Sequence, residues 1–255
     1  SVSRCFAGLI ALLAADPRFE VVLISTQDPA RSPTNPYRDF TGRFVLVPRQ
    51  YLPARETLAA EHLDLLVYQD IGMDELSYFL AFARLARIQC VLGGHPVTTG
   101  IPNMDVFISS ERVEPPDAQQ HYTERLLLIP RFPVVYRHPV VPQPLKSRTE
   151  LGLPEAGSIY LCPMMLQKIH PDFDAALGAI LERDPTGHVV LFKHYSARWE
   201  EPLMARFERS IAPEPRSRIL FLPWIHDYGD FIAVNARSSV VLDPFHFGIG
   251  STVIA

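Results

Sequence analysis

Short apolar runs alternate with amphipathic segments along nearly the whole chain, and this alternation constrains the fold more than any other feature. Runs such as residues 65–68 and 188–192 have the length and composition of buried strands. Between such runs, apolar residues recur at helical spacing, as in residues 3–15, where Asp16 and Pro17 end the helix. Strands that alternate with helices predict parallel sheets covered by helices on both faces.

The predicted elements fall into two groups. In the first group we expect helices over 3–15 and 75–87, a helix ending near 63, and strands over 21–24, 43–47, 65–68, 88–92 and 105–109. In the second group we expect strands over 158–162, 188–192, 218–222 and from 240, with helices over 172–183, 201–211 and 229–236.

A proline-rich stretch separates the two groups. Prolines interrupt the alternation between residues 131 and 154, and Ser147 with Glu150 has the spacing of a capping box that begins a short helix. We therefore predict a first domain over 1–138, a linker over 139–154 and a second domain over 155–255. Because the chain stops at Ala255, just after a helix should begin, we expect the second domain to be truncated.

Composition and charge exclude several classes of protein. The chain has 255 residues, 47% of them hydrophobic and 20% charged, which is typical of a globular protein with an ample core. Its net charge of −4 provides no electrostatic reason to expect nucleic acid or an anionic membrane as a partner. No segment approaches the roughly 18 apolar residues that a membrane span needs. Cys5, Cys90 and Cys162 are odd in number and far apart, which predicts reduced thiols and a cytoplasmic location.

The end of the chain has the pattern of an anion site. Residues 240–242 form an apolar run that predicts a strand buried on both faces. The glycine loop (residues 243–250) follows, and then Ser251 and Thr252 begin a helix. Glycines allow the backbone to approach a ligand, and the free N–H groups of a helix start attract anions. The same pattern also fits an ordinary turn between a strand and a helix.

Two other loops follow predicted strands, where ligands bind in open parallel sheets. The histidine loop (residues 93–100) carries His95, Thr98 and Thr99, which supply a titratable ring and two hydroxyls, although a plain glycine turn is an equal alternative. The lysine loop (residues 163–171) carries Lys168 just before a helix that Pro171 begins. Lys168 could contact a phosphate there, or could simply be solvated.

The sequence predicts no metal or dinucleotide cofactor. Asp172 and Asp174 resemble a metal-binding carboxylate pair, but they fall in the first turn of a helix, where acids complement the helix dipole. No Cys or His cluster has the spacing of metal ligands along the sequence. Pro163 and Met164 also break the glycine fingerprint of dinucleotide-binding folds.

Three motifs in order along the chain resemble one family. Residues 92–100 with Met104 and Asp105, residues 166–171, and residues 242–252 resemble the catalytic region of O-GlcNAc transferases of the SPINDLY type. They are also similar to the bacterial cytoplasmic N-glycosyltransferases that modify adhesins. Residues 84–89 resemble the segment that precedes the histidine–proline loop in these proteins. The resemblance covers essentially the whole chain.

This resemblance implies an α/β fold of the glycosyltransferase-B type, in which two Rossmann-like domains with parallel sheets face each other across a cleft. It implies a UDP-sugar donor held mainly by the second domain, a protein acceptor that enters from the first domain, and no essential metal. His95 and Lys168 are the implied catalytic residues, with Lys168 on the donor diphosphate. The implied donor-binding residues are Pro96, Lys168, Trp224, Ile225, Gly250, Ser251 and Thr252.

The predicted function is transfer of GlcNAc or a hexose from a UDP-sugar to Ser or Thr of a protein. One alternative is an N-glycosyltransferase that acts on Asn, and another is a catalytically silent UDP-binding module with a regulatory role. A UDP-sugar epimerase shares the fold, but it needs a set of carboxylates and histidines that the sequence does not reveal.

Overall fold

The computed structural model describes residues 2–31, 35–135, 139, 141–194 and 196–250. The chain divides near residue 137 into two compact units. Each unit is an α/β structure built on parallel strands. No helix among these residues is long and apolar enough to cross a membrane.

The first unit contains two parallel sheets, of two and four strands. Strands β1 (Val22–Ser25) and β2 (Arg43–Leu46) pair with each other, and the larger sheet has the order β3-β4-β5-β6. The larger sheet and the helices comprise α1 (Val2–Ala15), α2 (Tyr51–Ala59), β3 (Leu63–Tyr68), α3 (Glu75–Leu80), β4 (Ala86–Leu92), β5 (Val106–Ser110) and β6 (Arg125–Ile129).

Three details of the first unit differ from the prediction. The helix predicted to end near residue 63 ends at Ala59, and Leu63 is already part of β3. The helix predicted over 75–87 ends at Leu80, because groups that a longer helix would use are bonded to side chains from elsewhere. Asn103 donates its amide to the Phe82 carbonyl at 2.6 Å, and the Leu85 N–H donates to the buried Gln89 side chain at 2.9 Å. Strand β6 was not predicted at all, although it pairs with β5 along its full length.

The second unit contains a four-stranded parallel sheet with the order β10-β7-β8-β9. Its central strands β7 and β8 are buried, with Ile159, Leu161 and Val190 fully inaccessible to solvent. Its elements are β7 (Ile159–Cys162), α4 (Asp172–Arg183), β8 (His188–Phe192), α5 (Glu200–Ser210), α6 (Pro213–Arg216), β9 (Ile219–Leu222), α7 (Tyr228–Arg237) and β10 (Val240–Val241).

The prediction that the last strand is buried on both faces is wrong for the described chain. Val240 is 45% exposed and Val241 is 37% exposed. The reason is that β10 lies at an edge of the described sheet and pairs with β7 over two residues.

Part of the predicted linker packs on the second unit. Both hydrogen bonds of the predicted capping box are present, because the Glu150 carboxylate accepts from the Ser147 N–H at 2.8 Å and the Glu150 N–H donates to the Ser147 hydroxyl oxygen at 3.2 Å. These residues form a turn, however, and not a helix. Arg148 donates to the Gly157 carbonyl at 2.9 Å, and Leu153 is buried with the core of the second unit.

The three cysteines are free thiols, as predicted. Cys90 and Cys162 are buried, and Cys5 is partly buried. Burial raises the pKa of Cys162 to about 12, so this thiol stays protonated and unreactive at neutral pH.

Candidate functional site

The lysine loop and the glycine loop lie together at one edge of the second sheet. The lysine loop follows β7 and the glycine loop follows β10, and these two strands are parallel neighbours. The carboxyl ends of both strands therefore point to the same edge. Contacts between the loops confirm this placement, since Lys168 meets Phe247 and Asp172 meets His246.

Lys168, the lysine predicted to contact the diphosphate, is exposed. Leu166 and Ile169 are each 3% exposed and anchor the loop in the core, so the lysine between them projects outward. Its ammonium nitrogen lies 4.4 Å from the centroid of the Phe247 ring. A cation–π contact at an exposed site is worth about 0.5–1 kcal/mol, enough to favour one position of the side chain without burying its charge.

The glycine loop is held by one of its own carboxylates. Asp243 accepts a hydrogen bond from the Ile249 N–H at 2.7 Å, and Ile249 is buried. A Cβ at Gly248 would lie 3.0 Å from the same carboxylate, which leaves little room for a side chain there. Gly250 has a φ of +57°, a conformation that favours glycine. Ser251 and Thr252, also predicted to contact the phosphates, lie outside the described residues.

The fold also assembles a cluster that the sequence did not predict. His246 Nε2 lies 2.8 Å from Asp172 Oδ2, and this hydrogen bond holds the pKa of Asp172 below its usual range. The rings of His170 and His246 meet edge to face at 4.4 Å between centroids. The sequence does not associate Asp172 with His246, because 74 residues separate them.

The two aspartates at the start of α4 have different roles. Both lie in its first turn, as predicted. Asp172 is exposed, but Asp174 is 2% exposed and receives hydrogen bonds from Arg206 Nε at 2.9 Å and Nη2 at 2.8 Å, and from the Ser210 hydroxyl at 2.9 Å. Asp174 therefore connects α4 to α5, a role beyond the predicted interaction with the helix dipole.

Trp224 and Ile225, predicted to recognise uracil, follow β9 at the same edge of the sheet. The Trp224 ring meets His194, which follows β8, at 6.4 Å between centroids. Ile225 packs against the core of the second unit. Strand β8 separates β9 from β7, so these residues lie two strands away from the lysine loop.

In the first unit, the histidine loop is fixed by a buried glutamate that the sequence did not predict. Glu124 is 2% exposed and accepts hydrogen bonds from the Thr98 hydroxyl at 2.7 Å, the Thr99 N–H at 2.8 Å and the Thr99 hydroxyl. Burial acts to raise the pKa of Glu124, but these bonds outweigh burial and lower it. The two hydroxyls thus hold the loop in shape, whereas the sequence suggested that they were available to a ligand.

His95 and Pro96 lie in this loop, with His95 partly buried and Pro96 exposed. Gly94 lets the loop approach the residues after β3, because a Cβ there would lie 2.4 Å from the Gln69 carbonyl oxygen. His95 and Pro96 thus belong to the first unit, and Lys168 and Gly250 belong to the second.

Two other motif residues have a structural role. Arg84 and Asp105 form an ion pair with two hydrogen bonds, and the pKa of Asp105 is lowered chiefly by this contact. Asp105 also accepts from the Gln89 N–H at 2.8 Å. These contacts join the start of β4 to the start of β5, at the end of the strands opposite the histidine loop.

Known proteins resemble the chain in both sequence and structure. No protein-family model matches it. It is 26% identical over 193 residues to the UDP-glucose:protein N-beta-glucosyltransferase of Actinobacillus pleuropneumoniae serotype 5b (strain L20), which covers 72% of the chain and 29% of that protein. It is 30% identical over 118 residues to the probable UDP-N-acetylglucosamine–peptide N-acetylglucosaminyltransferase SEC of Arabidopsis thaliana, which covers 44% of the chain and 12% of that protein.

A mutant O-GlcNAc transferase of Thermobaculum terrenum has a solved structure that superposes on 99% of the chain with a TM-score of 0.73. The predicted resemblance to O-GlcNAc transferases and bacterial N-glycosyltransferases is confirmed. The sequence identity to that structure is 24%, and the match covers 47% of its chain. At this identity, the structural likeness shows the fold alone. The glycosyltransferase-B fold class predicted from the sequence is therefore correct. The chain spans less than a third of the length of either curated relative.

Proposed function

We propose that the protein is a UDP-sugar-dependent protein glycosyltransferase, which transfers GlcNAc or a hexose to Ser or Thr. The observation that carries this proposal is the pairing of an exposed lysine with a glycine loop at one edge of the second sheet. This pairing suits a diphosphate, and the relatives are named for the transfer of sugars from UDP donors to proteins or peptides.

In the proposed reaction, an acceptor oxygen forms a bond to the anomeric carbon while the bond from that carbon to the diphosphate breaks. The acceptor hydroxyl gives up its proton, and UDP departs with the electrons of the broken bond. Lys168 stabilises the negative charge that develops on the diphosphate, and Gly250 allows backbone N–H groups to approach it. Trp224 and Ile225 would hold the uracil, and His95 with Pro96 would act on the acceptor side.

The partners in this proposal are a UDP-sugar and an acceptor protein. We further propose that the reaction takes place in the cytoplasm and needs no metal ion, nucleic acid or membrane. The net charge and the three widely spaced cysteines support the location and the absence of nucleic-acid and membrane partners, and transfer without a metal is what the family resemblance implies.

Transfer to Asn is a second candidate. The relative named as an N-glucosyltransferase matches 72% of the chain, against 44% for the plant relative. Glucose and an Asn acceptor are therefore the combination to test beside GlcNAc and Ser or Thr.

Donor hydrolysis tests the proposal against a catalytically silent module. The protein is incubated with UDP-GlcNAc or UDP-glucose without acceptor, and released UDP is quantified while UDP affinity is measured by calorimetry. We expect both binding and slow sugar release, with ADP-glucose as a control that tests recognition of uracil. UDP binding without sugar release would indicate a silent module, and the absence of UDP binding would overturn the donor site itself.

A further inference from the structure

Two loops of the second unit bring together three side chains that can bind metal. His170 lies near the end of the lysine loop, Asp172 begins α4, and His246 lies in the glycine loop. One ligand atom from each lies within 4.8 Å of the other two. All three residues are exposed, so an ion and its waters can reach them.

The distances suit a small ion. Zinc binds His nitrogen and carboxylate oxygen at about 2.0–2.2 Å, so the ligand atoms of a tetrahedral site lie about 3.3 Å apart. Asp172 Oδ2 lies 2.8 Å from His246 Nε2 and 3.4 Å from His170 Nδ1, values on either side of that separation. Since all ligand atoms fall within 4.8 Å, a movement of at most about 1.5 Å completes the triangle.

The ligand types select among metals. Imidazole suits Zn²⁺, Cu²⁺ and Ni²⁺, whereas Mg²⁺ and Ca²⁺ prefer sites made only of oxygen. His170 Nδ1 accepts the Asp172 N–H at 3.2 Å, so this nitrogen carries no proton, and a bound ion would replace that N–H at its lone pair. His246 has a φ of +69°, an uncommon conformation for a residue with a Cβ, and from this position its ring reaches Asp172.

The geometry points to a binding site for a divalent transition metal ion, with Zn²⁺ as the probe of choice, formed by His170, Asp172 and His246. Water fills the remaining positions around the ion. A bound ion ties the glycine loop to the start of α4. This site does not depend on the proposed sugar transfer, which needs no metal, and it can be tested without a sugar donor.

Calorimetric titration with Zn²⁺ in the absence of any nucleotide tests the site. We expect one ion per chain, at least tenfold weaker binding for His246→Ala and for His170→Ala, and unchanged binding for His121→Ala, which removes an exposed histidine in the first unit. Asp172→Asn keeps the size of the side chain and removes its charge, so it should also weaken binding. Cys5→Ser, as a single substitution in the wild-type protein, should leave Zn²⁺ binding unchanged.

Circular dichroism in EDTA establishes that each variant is folded before titration. A second readout is hydrogen exchange of the peptide that contains His246, which should slow on addition of Zn²⁺ in the wild type and not in His170→Ala. The proposal is overturned if His246→Ala and His170→Ala bind Zn²⁺ as the wild type does, or if Cys5→Ser removes the binding.

Discussion

Replacing Glu124 by Gln tests whether this carboxylate holds the histidine loop. The amide keeps the size of the side chain but loses the charge that strengthens the bonds from Thr98 and Thr99. A hydrogen bond to a charged group contributes about 1.5–3 kcal/mol and a neutral one about 0.5–1.5 kcal/mol, so three bonds together lose about 3–4.5 kcal/mol. Because a neutral amide costs less to bury than a carboxylate, we expect a net loss of about 1–2 kcal/mol.

Urea unfolding can assign this loss to the first unit. Both tryptophans, Trp199 and Trp224, lie in the second unit, so their fluorescence reports that unit alone. With a slope of about 2 kcal/mol per molar urea, Glu124→Gln should lower the midpoint seen by circular dichroism by roughly 0.5–1 M. The fluorescence midpoint should not move. Glu56→Gln, at an exposed position of the first unit, is the matched control and should change neither midpoint.

The effect should also depend on pH. Because the pKa of Glu124 is lowered in the folded protein, its contribution is fully present above the unfolded pKa of about 4.3 and is lost as the pH falls through the folded pKa. The difference between wild type and Glu124→Gln should therefore be largest near neutral pH and shrink below about pH 4. Equal midpoints for the two proteins at neutral pH would refute the assigned role of Glu124.

Three other predictions concern the second unit and the metal requirement. Lys168→Ala should weaken UDP binding about tenfold to a hundredfold in calorimetry and leave the urea midpoint within about 0.5 M, because the side chain is exposed; unchanged affinity would contradict its role. Asp174→Asn should lower the tryptophan-fluorescence midpoint by an amount equivalent to about 1.5–3 kcal/mol, because Arg206 loses its buried charged partner, and an unaltered midpoint would count against this pair. Sugar transfer should continue in excess EDTA, whereas activity that EDTA abolishes and Mn²⁺ restores would show that a metal is essential.

The sequence predicted the fold well where local pattern determines structure. Strands such as β8 lie in the buried centre of a parallel sheet and appear as continuous apolar runs, and α4 has both a proline start and helical spacing. The prediction failed where distant side chains decide the structure. The helix α3 ends early because the side chains of Asn103 and Gln89 form hydrogen bonds with the backbone that follows it. Strand β6 is recognised only through its pairing with β5.

The candidate site was partly predictable for the same reason. Lys168 and Gly250 could be placed at one edge, because both follow strands of one parallel sheet. Glu124 could not be predicted, since its partners Thr98 and Thr99 lie 25 to 26 residues away and no local pattern connects them. The sequence likewise contains no spacing that would associate His246 with His170, although each lies in a loop with the pattern of a binding site.

Intact-peptide mass spectrometry measures the proposed transfer of sugar to protein acceptors without intermediate steps. A defined peptide mixture with Ser, Thr and Asn acceptors is incubated with the protein and with UDP-GlcNAc or UDP-glucose in turn, and Lys168→Ala serves as the matched control. We expect a mass increase of one sugar residue on acceptor peptides with the wild type and none with Lys168→Ala. No mass change with either donor, from a protein that binds UDP, would contradict the proposed transfer.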